Sequence, residues 1–170
     1  MMLDVISLIF LAASSYTDLA FRKVYNSAVI SAVILGFGLN LFYGGAPGLW
    51  HAFMGLIAGF LFLILFYALG GVGAGDVKFM AAVGCLKGAK FVLAGGLYGA
   101  VLGGLAAVVV MLIEKRFLST LKNILNSLLM LVTFKVPEAI KPDKSQASYL
   151  PYTVFLSLGM LLRLVELRYF

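Results

Sequence analysis

Long apolar runs broken by short polar interruptions dominate this chain, and six of the runs predict membrane-buried helices. They are Met1–Thr17, Tyr25–Tyr43, Leu49–Leu69, Val77–Leu86, Phe91–Ile113 and Tyr149–Leu167. A helix crosses the hydrocarbon core with about 20 apolar residues, fewer where its flanks reach the interface. The fourth run is short. At about 1.5 Å per residue it reaches roughly 15 Å, half the thickness of that core. It is expected to be buried among neighbours, to extend into its flanks, or to sit in thinned bilayer, because irregular backbone at that depth needs protein or a water-filled cavity around it.

A different pattern follows the fifth run. In FLSTLKNILNSLLMLVTF the apolar residues Phe117, Leu121, Ile124, Leu125, Leu128 and Val132 recur at helical spacing. Ser119, Lys122, Asn123, Asn126 and Ser127 fall mostly on the other side, which suits a helix lying in the interface rather than crossing it. The run KPDKSQAS after it has the chemistry of a polar loop. The pattern thus predicts an all-α, polytopic membrane helix bundle with about six transmembrane helices plus an interfacial amphipathic helix on the cytoplasmic side.

Composition supports this. Hydrophobic residues make up 63% of the 170 and charged ones 12%, against about 25% charged in a soluble domain. The first run carries Asp4 where a signal peptide would carry lysine or arginine, so it reads as a first transmembrane helix. The lone Cys85 forms neither an internal disulfide nor a CxxC site and reads as a small apolar residue.

Basic residues orient the bundle. With the N-terminus outside, the inner loops hold Arg22, Lys23, Lys78, Lys115, Arg116, Lys122, Lys135, Lys141 and Lys144. Lys87, Lys90, Arg163 and Arg168 remain outside. The positive-inside rule therefore favours both termini outside. The net charge of +6 reads as attraction to anionic headgroups of the cytoplasmic leaflet and not as a nucleic-acid footprint.

The acids carry the candidate chemistry. Of Asp4, Asp18, Asp76, Glu114, Glu138, Asp143 and Glu166, only Asp18 and Asp76 abut predicted spans without lying in an evident loop or at a terminus. Asp18 ends the first span and Asp76 opens the fourth, which puts both at the cytoplasmic face. Two carboxylates within reach of one another do not both ionise readily, so the pair shares a proton. The ionised member then draws a proton from water while the protonated one polarises a carbonyl. Such chemistry needs no metal or other cofactor. The single histidine, His51, is expected on the opposite face. Gly73 and Gly75 are expected to supply backbone angles closed to other residues, so that the chain turns sharply and a substrate strand approaches Asp76. A second reading stands beside this one: an aspartate at a helix end also serves simply to reach water or favour a helix N-terminus.

Two motifs give these residues a family. GAGDVK, from Gly73 to Lys78, resembles the GxGDxK signature of the type IV prepilin peptidases, membrane aspartyl proteases that trim pilin leaders. DLAFRKVYN, from Asp18 to Asn26, resembles that family's other motif, with Asp, then Arg four later, then Asn eight later; Val24 and Tyr25 depart from its usual residues. LPYTVFLSLG, from Leu150 to Gly159, resembles the start of its last helix. The resemblance implies a single membrane peptidase domain over 1–170 in the inner membrane, with Asp18 and Asp76 as the catalytic pair. It implies cleavage of a short basic leader from a prepilin at the cytoplasmic face, commonly after glycine. The chain lacks the cysteine-paired N-terminal extension of the larger, methylating members, and so looks like the compact enzymes that serve Flp/Tad-type pili.

For the supporting residues two readings remain open. Lys78 either lowers a carboxylate's pKa or attracts an acidic residue of the substrate, or else it holds lipid phosphate. Arg22 and Lys23 share that ambiguity, and Asn26 caps the second helix or bonds the loop beside Asp18. Gly95, Gly99 and Gly103 form a small-residue face suited to close helix packing. The main rival from another class is a small ion- or proton-coupled transporter using the two aspartates. It predicts acids near mid-bilayer and an internal repeat, neither of which the sequence displays.

Overall fold

A computed structural model describes residues 2–68, 71–113 and 151–169. All the regular structure among these residues is helical: α1 Met2–Phe21, α2 Asn26–Ala68, α3 Ala74–Lys87, α4 Ala89–Ile113 and α5 Tyr152–Tyr169. The expected amphipathic helix around residues 117–134 and the loop KPDKSQAS lie outside the described residues. The chain divides into two compact units, one formed by Met1–Gly103 with Pro151–Phe170 and the other by Gly104–Leu150. Of the second unit the described part is residues 104–113, the last turns of α4.

Two predicted spans, Tyr25–Tyr43 and Leu49–Leu69, merge into α2, whose 43 residues are broken at Gly45 with φ 58° and ψ −145°. Only glycine adopts that left-handed φ without strain, and Pro47 just beyond has no N–H to continue the helix. The chain doubles back there so closely that a Cβ on Gly48 would fall 2.0 Å from the Asn40 carbonyl oxygen.

α3 is the axis of the first unit. Its 14 residues extend the short fourth run into both flanks, and Val77 and every residue from Phe79 to Leu86 are buried. A helix apolar on all sides belongs inside its neighbours. The first arm of α2 runs parallel to α3, since Asn26 meets Lys78 and Asn40 meets Leu86. The second arm runs antiparallel, with Gly55 against Gly84 and Gly59 against Met80. α1 is antiparallel too: Lys87 pairs with Asp4 at one end, and Phe10 stacks on Phe79 with ring centroids 5.5 Å apart.

The small-residue face of α4 packs against α5. A Cβ on Gly95 would stand 2.4 Å from Met160 Sδ, and one on Gly99 2.7 Å from the Leu156 Cα. At the far end of α3 the buried Asn40 amide donates to Cys85 O at 3.2 Å and Leu86 O at 3.4 Å, carbonyls that a helix C-terminus leaves without partners. Outward faces carry Ile9, Ile34, Phe42, Leu65 and Leu97 exposed, a surface suited to lipid.

Three of the described helices, α1, α2 and α4 to Val110, are long and apolar enough to cross a membrane. α2 is counted once there although it reverses at Gly45. α3 and α5, expected as spans four and six, are not among the three: α3 is too short at 14 residues, and the 18-residue α5 carries Arg163, Glu166 and Arg168.

Candidate active site

At the end of the first unit opposite Asn40, a cavity of about 480 Å³ opens between α1, α3, α5 and the α1–α2 link. It is lined by Asp18, the link residues 22–26, Gly73 to Asp76, and Thr153. Residues far apart in sequence thus meet around one polar space.

Asp18 reaches it from the last turn of α1, a helix that stops at Arg22. There the chain turns to φ 52°, and the Arg22 N–H closes on Asp18 O at 2.9 Å. Left-handed backbone at a helix C-terminus is a common stop signal, although arginine is an unusual residue for it. Asp76 reaches the cavity from the first turn of α3, which has no serine or threonine cap. Instead the Asp76 carboxylate turns back and accepts the Gly73 N–H at 3.2 Å.

Thr153, wholly buried in the first turn of α5, lines the same cavity. Its hydroxyl donates to Asp76 Oδ1 at 2.5 Å. Asp18 Oδ2 is buried with no hydrogen-bond partner among the described residues.

The supporting residues differ from expectation in several ways. Gly73 has φ −78° and ψ 151°, a conformation open to any residue, and Gly75 has no positive φ either, so neither supplies a forbidden backbone angle. What sets these two glycines apart is proximity. A Cβ on Gly73 would meet Asp76 Oδ2 at 3.3 Å, and one on Gly75 would meet Val24 at 3.4 Å. The Lys78 ammonium goes to Asn26 Oδ1 at 3.0 Å, not to Asp76, so it pins α3 to the start of α2. Arg22 and Lys23 do line the cavity. His51 lies against Gly88 at the other end of α3, as its position in the sequence suggests.

Sequence reasoning did not single out Thr153. It stands 77 residues from Asp76, and one threonine at the start of an apolar helix carries no signal of its own. Its position inside LPYTVFLSLG was the one available pointer.

Residues 5–108 match the sequence model of the type IV leader peptidase family. Over 122 residues, 65% of the chain, the protein is 34% identical to the prepilin leader peptidase/N-methyltransferase of Bacillus subtilis (strain 168). The match covers 46% of that protein, so the chain spans about half the length of this curated relative. No solved structure matches the chain.

Proposed function

The chain belongs to the type IV leader peptidase family, and from that membership we propose that it is an aspartyl endopeptidase removing the short basic leader of a type IV prepilin or prepilin-like precursor. One observation carries the reading. Asp18 and Asp76, on separate helices and 57 residues apart in sequence, line a single polar cavity.

The chemistry follows from two carboxyls that share a proton. The ionised carboxylate takes a proton from water as the water oxygen attacks the scissile carbonyl carbon. The protonated carboxyl gives its proton to the carbonyl oxygen, which avoids a bare oxyanion. Collapse of the tetrahedral diol breaks the C–N bond. The departing nitrogen takes one proton, and the pair is left holding one, as it began.

The boundary position suits such a substrate, whose leader is basic and polar and whose following segment is an apolar helix. About six crossings are read from α1, the two arms of α2, α3, α4 and α5, in the cytoplasmic membrane. The basic residues Arg22, Lys23 and Lys78 support, by the positive-inside rule, a reading with the cavity at the cytoplasmic face beside anionic headgroups and both termini outside.

The test is cleavage of a type IV prepilin by the purified protein in liposomes, beside Asp18→Asn and Asp76→Asn. Both variants are expected to fold and to lose cleavage by at least about 10³-fold, the scale on which an essential acid or base acts. A folded variant that cleaves at the wild-type rate removes that aspartate from the mechanism.

A further inference from the structure

At the Asn40 end of the first unit, away from the aspartates, a second cavity of about 570 Å³ lies between α1 and α5. Its walls are the apolar side chains of Val5, Leu8, Leu161, Leu164 and Val165, and it also receives Asp4, Lys87 and Arg168. On α5 the positions 161, 164, 165 and 168 recur at helical spacing, so they share one face. Arg168 therefore ends an apolar stripe that runs roughly 10 Å back to Leu161. On α1, Asp4 and Val5 stand one turn before Leu8. Charge is thus gathered at the ends of both helices, and hydrocarbon lines the groove leading away from them. Val5, Leu8 and Val165 are 42–54% exposed despite being apolar, so the walls are open to an occupant.

The charges do not cancel. Lys87 pairs with Asp4 and lies 5.2 Å from the centre of the Phe91 ring, and those two charges offset one another. Arg163, on the same helix as Arg168, is paired with Glu166 at 2.7 Å. Arg168 is exposed and makes no ion pair among the described residues. One positive charge is left over at the polar end of an apolar groove. A guanidinium presents a planar fork of N–H donors that matches the oxygens of a phosphate. The groove is therefore complementary to an amphiphile: an anionic phosphate head at Arg168 and a hydrocarbon chain along the walls. Its volume falls within the range of small-molecule sites. A helix fits less well, since at about 10 Å across it would fill roughly 800 Å³ over the same length and could enter only in part.

We propose that this groove binds one phospholipid of net negative charge, with its phosphate on Arg168 and an acyl chain between α1 and α5. The bound lipid bridges the two helices at the end of the unit where the aspartate cavity cannot. It also steadies α5, the helix that brings Thr153 to that cavity. The site is independent of the peptidase reading and stands or falls without it.

The experiment takes the purified protein, stripped of lipid in a nonionic detergent, and titrates it with phosphatidylglycerol, phosphatidylcholine or inorganic phosphate. Thermal unfolding and native mass spectra are recorded at each step. Wild type is expected to take up one phosphatidylglycerol saturably and to unfold at a higher temperature as it does so. Phosphatidylcholine, with the same phosphate but no net charge, should bind more weakly, and inorganic phosphate should leave the unfolding temperature unchanged. Arg168→Gln should weaken phosphatidylglycerol about tenfold or more, the loss expected for one charge-assisted contact. Lys90→Gln removes an exposed cation just past the same end of α3 but outside the groove, and should leave the affinity unchanged. A photoreactive benzophenone at position 8, introduced as Leu8→p-benzoylphenylalanine, should cross-link to phosphatidylglycerol in wild-type background.

Equal affinity of the two lipids for wild type, equal affinity of phosphatidylglycerol for wild type and Arg168→Gln, or stabilisation by phosphate alone overturns the proposal. So does an equal loss in Lys90→Gln, which would reduce the effect to general attraction between basic protein and anionic lipid. A benzophenone that links to protein instead of lipid, whether a second copy or another stretch of this chain, gives the groove to a different occupant and overturns it too.

Discussion

Gly55→Ala adds one methyl group at the tightest point between the second arm of α2 and α3. Its Cβ would stand 1.9 Å from Gly84 O and 2.7 Å from Gly88 Cα. Even a close carbon–oxygen contact needs roughly 3.3 Å, so the helices must part by more than an ångström. A gap of about 1 Å already forfeits up to half of the dispersion attraction at a packed seam. The obstructing atoms belong to backbone and not to a side chain that could swing aside. The cost therefore lies at the upper end of the range for overpacked cores, about 3 kcal/mol. For a chain of this size that lowers the unfolding temperature by roughly 6–12 °C. Gly38→Ala is the control, because nothing lies within 4 Å of its Cβ and it too sits inside α2. There the more helix-prone alanine is expected to stabilise by about 0.5–1 kcal/mol. Thermal unfolding of both variants and wild type in one detergent decides the matter. If Gly55→Ala unfolds within about 2 °C of wild type, a shift under 1 kcal/mol, the close seam on which α3 is positioned is not there.

Two further outcomes are expected. Asn40→Leu keeps the branched shape but removes the donor to Cys85 O and Leu86 O, at a cost of about 1–3 kcal/mol for buried carbonyls left unsatisfied; an unchanged denaturation midpoint would count against that cap. Lys78→Met and Asn26→Ala, singly and together, should give a coupling energy of about 0.5–1 kcal/mol for their exposed 3.0 Å bond, and additive effects would show that the pair does not hold α3 to α2.

Local signals carried part of this structure into the sequence. The reversal at Gly45 was legible because glycine and proline punctuate an otherwise unbroken apolar stretch, and the seam on Gly95 and Gly99 because small residues recur one helical turn apart. Asp18 and Asp76 stood out because each interrupts apolar sequence at the end of a run. The fate of α3 was harder to read, since a helix buried on every side has no polar face and so no periodicity to distinguish it from a span. Contacts between distant segments left no local trace at all. Nothing near Lys78 names Asn26, and nothing near Asn40 names the end of α3. The glycines before Asp76 misled for a related reason: glycine marks close approach as often as unusual backbone angles, and only neighbours in space tell the two apart.

Thr153 also bears on how the protein is made. The cavity draws Asp18 from the first helix, Asp76 from the third and Thr153 from the fifth. Synthesis delivers these in that order, and helices enter the membrane as they emerge. A growing chain therefore holds one acid, then two, with the hydroxyl that donates to the second arriving only with α5. Until that helix docks, newly made protein lacks one wall of the cavity, which closes only at the end of its own assembly.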